Sequence, residues 1–144
     1  MADSEQDWGT VLSGHRSPEM ITRLASVFEA HNIAPDAVAS ALADHETFVA
    51  VTTSRSDWEE AYGGKVAAAL IAAEVLEQAA ALQLTVSTIR SRIVAQVVAE
   101  SSVVETARQL GYSHQHISRL RKSDAAQQRH EGEEATSRSV VLGI

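Results

Sequence analysis

Residues 102–122 read SVVETARQLGYSHQHISRLRK, and their pattern predicts two short helices joined by a tight turn. Ser102 and Glu105 stand three residues apart and form a capping box at the start of the first helix. Gly111 falls where that helix ends, because glycine adopts positive φ without strain. Ser113 then caps the second helix.

Apolar residues in the same stretch indicate how the two helices pack. Ala107 is small and allows a close crossing, and Leu110 is expected to point into the core. The second helix is expected to pack back on them at a steep angle. The predicted core of the motif is Ala107, Leu110, Gly111, Ile117 and Leu120.

This segment resembles the prokaryotic helix-turn-helix superfamily of phage repressors, resolvases and many small regulators. The small residue, the turn glycine and the later aliphatic of that superfamily are matched by Ala107, Gly111 and Ile117. The SRLRK sequence at 118–122 is similar to the end of many recognition helices. A helix predicted at 86–100 would complete a tri-helical unit.

The resemblance implies that the second helix of the motif enters the major groove of double-stranded DNA. The base-reading residues it implies are His114, Gln115, Ser118 and Arg119. Gln115 suits adenine, and Arg119 suits the O6 and N7 atoms of guanine. The implied phosphate contacts are Ser113, Arg108, Arg121 and Lys122, with Arg90 and Arg92 on the preceding helix.

Charge is distributed unevenly along this chain, whose net charge is −7. Residues 1–89 contain 4 basic and 13 acidic residues, whereas residues 90–122 contain 6 basic and 2 acidic ones. Because salt screens charges beyond about 8–10 Å, the basic segment can bind phosphate despite the acidic remainder. A solvated helix face would have the same composition, so charge alone leaves both interpretations open.

The composition predicts an all-α fold, because alanine is abundant and the 144 residues include only 2 prolines and 7 glycines. Residues 1–12 are expected to be loose apart from a docked turn near Trp8, and 48–53 are equally consistent with helix or strand. In the N-terminal part, helices are predicted after Ser17, ending near Asn32, and at 35–43, followed by a helical turn that Ser56 caps and that Gly63 and Gly64 end. Two longer helices are predicted at 65–82 and at 86–100, the second capped by Thr85.

The domain prediction divides the chain into three regions. Residues 1–64 form an acidic helical region suited to dimerisation or to binding a protein partner. Residues 65–123 form a helical DNA-binding domain with the helix-turn-helix at 102–122. The tri-helical unit that contains this motif forms the C-terminal part of the domain. Residues 124–144 form a polar tail, expected to fray, that ends in the apolar run Val140–Ile144.

A weaker second copy of the motif precedes the first. Glu77, Ala79, Leu82, Thr85 and Ile89 repeat the spacing, but Gln83 replaces the turn glycine. A second reading head would use Val86, Ser87, Arg90 and Ser91. Two helix–cap–helix units that share one core explain the same pattern, and we favour that plainer explanation.

Several other functional classes find no support in the sequence. The chain has no cysteine, and His114 and His116 point in different directions on a helix, so no metal site is expected. No catalytic triad, phosphate-binding glycine loop or nucleotide motif occurs, so neither an enzyme nor a cofactor is expected. The N-terminus lacks a signal-peptide pattern, and the longest apolar run, Val66–Ala73, is too short to cross a bilayer. We expect a cytoplasmic protein.

The functional prediction is therefore a sequence-specific double-stranded DNA-binding protein of bacterial or phage type. Because one motif covers few base pairs, we expect a homodimeric transcriptional repressor on a roughly palindromic site. One alternative is a DNA-binding accessory of plasmid partition, phage packaging or recombination. Another is a protein-interaction module such as an antitoxin or adaptor. The alanine-rich helix, the N-terminal region or the apolar C-terminus could supply the dimer interface.

Overall fold

The computed structural model describes the backbone of residues 2–141 and the side chains of residues 7–136. Within that part of the chain every helix or strand is an α-helix, which confirms the all-α prediction. The helices are α1 (Ala2–Leu12), α2 (Pro18–Ala30), α3 (Pro35–Ala43), α4 (His45–Ser54), α5 (Trp58–Tyr62), α6 (Lys65–Glu100), α7 (Val103–Leu110) and α8 (His114–Val141).

The described chain divides into two compact units, the first ending at Leu82 and the second beginning at Gln83. The division lies inside α6, later than the boundary predicted at residue 64. The reason is that Ala67 and Ile71, near the start of α6, belong to the hydrophobic core of the first unit. Each unit is described separately below.

The core of the first unit is built around two stacked aromatic rings. Trp8 and Phe28 are fully buried, and their ring centroids lie 4.6 Å apart at an interplanar angle of 14°. The prediction that residues 1–12 are loose is wrong, because α1 is a regular helix. Trp8 and Leu12 lie one turn apart on the same face of α1 and are both completely buried, so tertiary packing stabilises a segment whose local sequence is polar.

Helix ends in the first unit mostly follow local capping chemistry. The Ser17 hydroxyl accepts a hydrogen bond from the Met20 amide at 3.3 Å, and Asn32 ends α2 with a φ of 57°. Both ends confirm the prediction. The bounds of α3 also match, and Gly63 and Gly64 break the chain with φ values of 90° and 114°.

Two details around residues 45–58 differ from or refine the prediction. The ambiguous stretch at 48–53 is helical, because Asp44 caps α4 by accepting a hydrogen bond from the Thr47 amide at 3.1 Å. Ser56 does not cap the next helix. Asp57 occupies the N-cap of α5 without a side-chain bond to the helix, and its carboxylate is bound by Arg55 instead.

A buried carboxylate connects α6 to the loop between α1 and α2. Glu74 is 1% exposed, and its two oxygens accept hydrogen bonds from Arg16 at 3.1 and 2.7 Å. The Nε2 atom of His15 lies 3.0 Å from the same carboxylate. Burying a charge is costly unless it is paired, so this cluster fixes the loop to α6.

Helix α6 is continuous over 36 residues, so the predicted break at Thr85 is wrong. No proline or glycine occurs between residues 65 and 100, and the alanine- and leucine-rich residues before Thr85 favour helix, so α6 continues past a residue that could cap it. The weaker motif copy therefore has no turn. Of the second reading head, Ser91 is buried, whereas Val86 and Arg90 are exposed in the middle of the continuous helix.

Among the described residues, α6 is the one helix that could cross a membrane by length and composition alone. The prediction considered only the uninterrupted run Val66–Ala73, and the whole helix is much longer. Core helices of water-soluble proteins satisfy the same criterion, and α6 supplies residues to both hydrophobic cores. The absence of membrane association thus stays a prediction.

The second unit has its own small core, to which three helices contribute. Val94 and Val98 come from α6, Ala107 from α7, and Ile117 and Leu120 from α8. Helix α8 continues for 28 residues and does not end near Lys122, so the tail predicted to fray is helical through Val141. The predicted apolar end Val140–Ile144 lies outside the residues whose side chains are described.

Candidate nucleic-acid interface

Helix α7 begins with half of the predicted capping box. The Ser102 hydroxyl accepts a hydrogen bond from the Glu105 amide at 3.1 Å. The Glu105 carboxylate does not return to the Ser102 amide. It is bound by the guanidinium of Arg108, whose Nε lies at 3.0 Å, and by the amide of Gln109 at 3.2 Å. The helix start is thus capped by the serine, while the acid pairs along the helix surface.

The turn between α7 and α8 depends on a left-handed residue. Gly111 has φ 70° and ψ 25°, and the amides of Gly111 and Tyr112 both donate to the Ala107 carbonyl, the second at 3.1 Å. These bonds pair the Ala107 carbonyl in the last turn of α7 and change the direction of the chain after it. A Cβ at Gly111 would meet nothing within 4 Å, so its backbone conformation alone requires glycine.

Ser113 caps the start of α8 as predicted. Its hydroxyl accepts a hydrogen bond from the His116 amide at 3.1 Å, and its carbonyl accepts one from the Ile117 amide at 3.1 Å. The Tyr112 and His116 rings contact each other with centroids 4.4 Å apart. The first turn of α8 is therefore fixed both by hydrogen bonds and by ring packing.

Three of the five predicted core residues of the motif are buried, whereas Leu110 and the turn residue Gly111 are exposed. Ala107, Ile117 and Leu120 are buried, but Leu110 is 42% exposed. Tyr112 packs against the core cluster just beyond the turn, where Leu110 was expected. The prediction also missed Thr106, which is fully buried and donates from its hydroxyl to the Ser102 carbonyl at 2.7 Å. Its polar side chain gave no apolar signal in the sequence.

The outer face of α8 carries the predicted base-reading residues. Because an α-helix has 3.6 residues per turn, the buried pair Ile117 and Leu120 lies roughly opposite three of these residues, whereas His114, three residues before Ile117, lies at the side of the buried face. The four predicted readers are all exposed: His114, Gln115, Ser118 and Arg119. One side of the first turns of α8 is thus anchored in the core while the other projects polar and cationic groups outward.

The predicted phosphate contacts differ in their availability. Arg108 is bound to Glu105, which raises the pKa of Arg108 and lowers the pKa of Glu105. Arg92 lies 3.5 Å from Glu131 on α8. Over residues 7–136, no ion pair engages the remaining predicted cations, which are exposed: Arg90, Arg119, Arg121 and Lys122. The free cations are therefore concentrated near the start of α8.

Other site chemistry is sparse in this unit. Within the described part of the chain, no group of three or more His, Asp or Glu side chains is arranged to hold a metal ion. His114 is exposed, and His116 is half-buried against Tyr112.

Comparison of the chain with protein-family models, with curated proteins and with solved structures finds no match.

Proposed function

We propose that this chain is a sequence-specific double-stranded DNA-binding protein that acts as a dimeric transcriptional regulator, most simply a repressor. In this proposal α7 and α8 form a helix-turn-helix, with the end of α6 as the third helix of the unit. The first turns of α8 enter the major groove, as in that superfamily.

The observation that carries the proposal is the arrangement of α8 around its own axis. Ile117 and Leu120 are buried while Gln115, Ser118 and Arg119 are exposed near a tightly capped helix start. A helix-turn-helix reads bases through side chains held rigidly near the exposed N-terminus of its second helix, and this arrangement is suited to that role.

The exposed groups match the chemistry of base edges and phosphates. The Gln115 amide can both donate to and accept from adenine, and the Arg119 guanidinium can donate twice to guanine. Arg121 and Lys122 follow on the same helix and are unpaired within the described residues, so they suit phosphate oxygens.

The charge distribution favours selective over indiscriminate binding. Residues 1–89 carry 13 acidic residues against 4 basic ones, and this excess repels the phosphate backbone at low salt. Binding strength must then come from the few free cations on α8 and from base contacts. We expect weak affinity for random DNA and a steep gain at the cognate sequence.

Selection of bound sequences from a random duplex pool tests the proposal. We expect enrichment of a motif with two half-sites roughly 10 base pairs apart or a multiple of that. Arg119→Ala should lose the preference at one base position. Arg129→Ala is the matched control, because Arg129 is an exposed arginine on the same helix beyond the motif. Failure of this 144-residue chain to enrich any sequence would contradict the proposal.

A further inference from the structure

Four aliphatic side chains form an exposed stripe along the middle of α6. Leu82, Val86, Ile89 and Ile93 are spaced by four, three and four residues, which places them on one face of the helix. They are 61%, 51%, 48% and 52% exposed, respectively. We call these four residues the α6 stripe.

The α6 stripe lies away from the face of α6 that packs in the second unit. Ser91, Val94 and Val98 are buried on that inner face. The stripe belongs to neither hydrophobic core formed by the described residues. A helix that is apolar on two sides is typical of one covered on both.

We propose that the α6 stripe is the surface through which two copies of this chain associate. The proposal rests on the proposed function in one respect: a pair of copies would present two α8 helices to adjacent half-sites. The spacing is that of a coiled-coil seam. Val86 and Ile93 occupy one set of seam positions and are β-branched, with Leu82 and Ile89 in the other, a pattern close to that of two-stranded coiled coils.

The charges bordering the α6 stripe are also compatible with packing against the same stripe of a second copy. Residues 78–99 contain no acidic residue, and their only charged residues are Arg90 and Arg92. Arg92 is already paired with Glu131 at 3.5 Å. Arg90 is the one bordering cation without an ion pair among the described residues, and the other bordering side chains, such as Gln83 and Gln96, are uncharged. A second copy therefore meets like-charge repulsion only at Arg90. Depletion of charge is the usual composition of an interface core.

The area of the α6 stripe fits a reversible dimer. Its four side chains expose on the order of 350–400 Å² per copy, within the roughly 300–600 Å² of the largest apolar patch on a typical monomer, and such patches are often functional. With the bordering residues included, the pair would bury roughly 1,000–1,200 Å² in total, at the lower end for specific interfaces. We therefore infer a dimer that dissociates in the micromolar range and is strengthened when both copies bind one DNA site.

Sedimentation equilibrium of the full chain over about 1–100 µM tests this inference. We expect the wild type to approach twice the monomer mass and Ile89→Glu to weaken association at least about tenfold, since a charge would be buried in the seam. Leu84→Glu is the matched control. Leu84 is 72% exposed and lies about 140° around the helix from Ile89, so this variant should associate like the wild type.

A double cysteine variant tests the same interface by cross-linking, in case Ile89→Glu does not fold. The chain has no cysteine, so Val86→Cys combined with Ile89→Cys introduces thiols only on the α6 stripe. We expect oxidation to give a covalent dimer with either parallel or antiparallel helices, whereas Leu84→Cys should remain monomeric. A wild type that stays monomeric throughout the range, or equal effects of Ile89→Glu and Leu84→Glu, would overturn the inference.

Two further measurements separate this inference from its alternatives. Monomeric protein that binds neutral lipid vesicles, and loses that binding in Ile89→Glu, would overturn the inference by assigning the α6 stripe to a membrane. DNA binding by a wild type that never dimerises would overturn it, together with the dimeric part of the proposed function, while leaving sequence-specific DNA binding by α8 intact. Dimerisation through the α6 stripe without DNA binding would support it and contradict the proposed function instead.

Discussion

The amide of Tyr112 donates a hydrogen bond to the carbonyl of Ala107 at 3.1 Å, and this bond closes the end of α7 around the left-handed Gly111. The same closure places Tyr112 against the core of the second unit and its ring beside His116. This backbone bond and this ring contact therefore act together with the Ser113 cap to set the direction in which α8 leaves the turn.

Gly111→Ala should therefore destabilise the protein by about 1–2 kcal/mol, because an L side chain is unfavourable in the left-handed conformation. Gly132→Ala makes the same chemical change inside α8, at a glycine whose φ is not positive and whose Cβ would meet no atom within 4 Å. It should stabilise by about 0.5–1 kcal/mol. Denaturant unfolding gives the free energy of unfolding of each variant relative to the wild type. Equal changes in this free energy for the two variants would contradict the conclusion that Gly111 is needed for its left-handed conformation.

Ile117→Ala should cost about 2–5 kcal/mol, because Ile117 is completely buried in the small second core. Both tryptophans lie in the first unit, so their fluorescence follows that unit while circular dichroism follows all helices. We expect the dichroism transition to shift more than the fluorescence transition. Ser118→Ala, at the exposed neighbouring position, should leave both transitions in place.

Glu74→Gln should destabilise the first unit by about 1–3 kcal/mol, because it removes the counter-charge of Arg16, whose side chain is 16% exposed and so partly solvated. The hydrogen bond to Glu74 is the main reason that the pKa of Arg16 is raised, so the arginine stays charged. Glu77→Gln is the control. Glu77 is half-exposed and lies 3.9 Å from the same guanidinium, so its loss should cost less than about 1 kcal/mol in thermal unfolding.

Glu105→Gln should increase affinity for DNA by releasing Arg108. The hydrogen bond from Arg108 is the main cause that lowers the pKa of Glu105. Because this pKa is lower in the folded than in the unfolded chain, the stabilisation by the pair is present above the unfolded value and is lost as pH falls through the folded one. At neutral pH the pair is therefore formed and Arg108 is occupied.

The salt dependence of binding at neutral pH checks the release of Arg108. One additional phosphate contact should steepen the plot of log affinity against log salt by about 0.9. Arg108→Ala in the Glu105→Gln background should remove that increment. An unchanged slope in Glu105→Gln would mean that Arg108 does not reach the DNA backbone.

Local signals in the sequence predicted those helix ends that are set by a few adjacent atoms. Ser17, Asn32, Gly111 and Ser113 all act through hydrogen bonds or dihedral angles within about one turn, so their effects are visible in a short sequence window. The core positions Ala107 and Ile117 were predictable for a related reason, since helical spacing placed them on inner faces.

Two kinds of feature were not predictable in this way. Thr85 has the composition of a helix cap, yet α6 passes through it because no glycine or proline interrupts the helix and a capping residue alone does not end it. Helix α1 forms because Trp8 and Leu12 are buried by the rest of the first unit, which a polar local sequence does not reveal. Leu110 was misplaced because the turn brings Tyr112 to the core.

The ratio of affinities for a selected duplex and a scrambled duplex of equal length tests the central claim most directly. Measured by fluorescence anisotropy at physiological salt, the wild type should favour the selected duplex by about a thousandfold or more. Arg119→Ala should reduce that ratio by about 5- to 150-fold through loss of a base contact, while Lys122→Ala should weaken both duplexes alike. Equal wild-type affinity for the two duplexes, or a ratio unaffected by Arg119→Ala, would contradict the assignment of α8 as a DNA-reading helix.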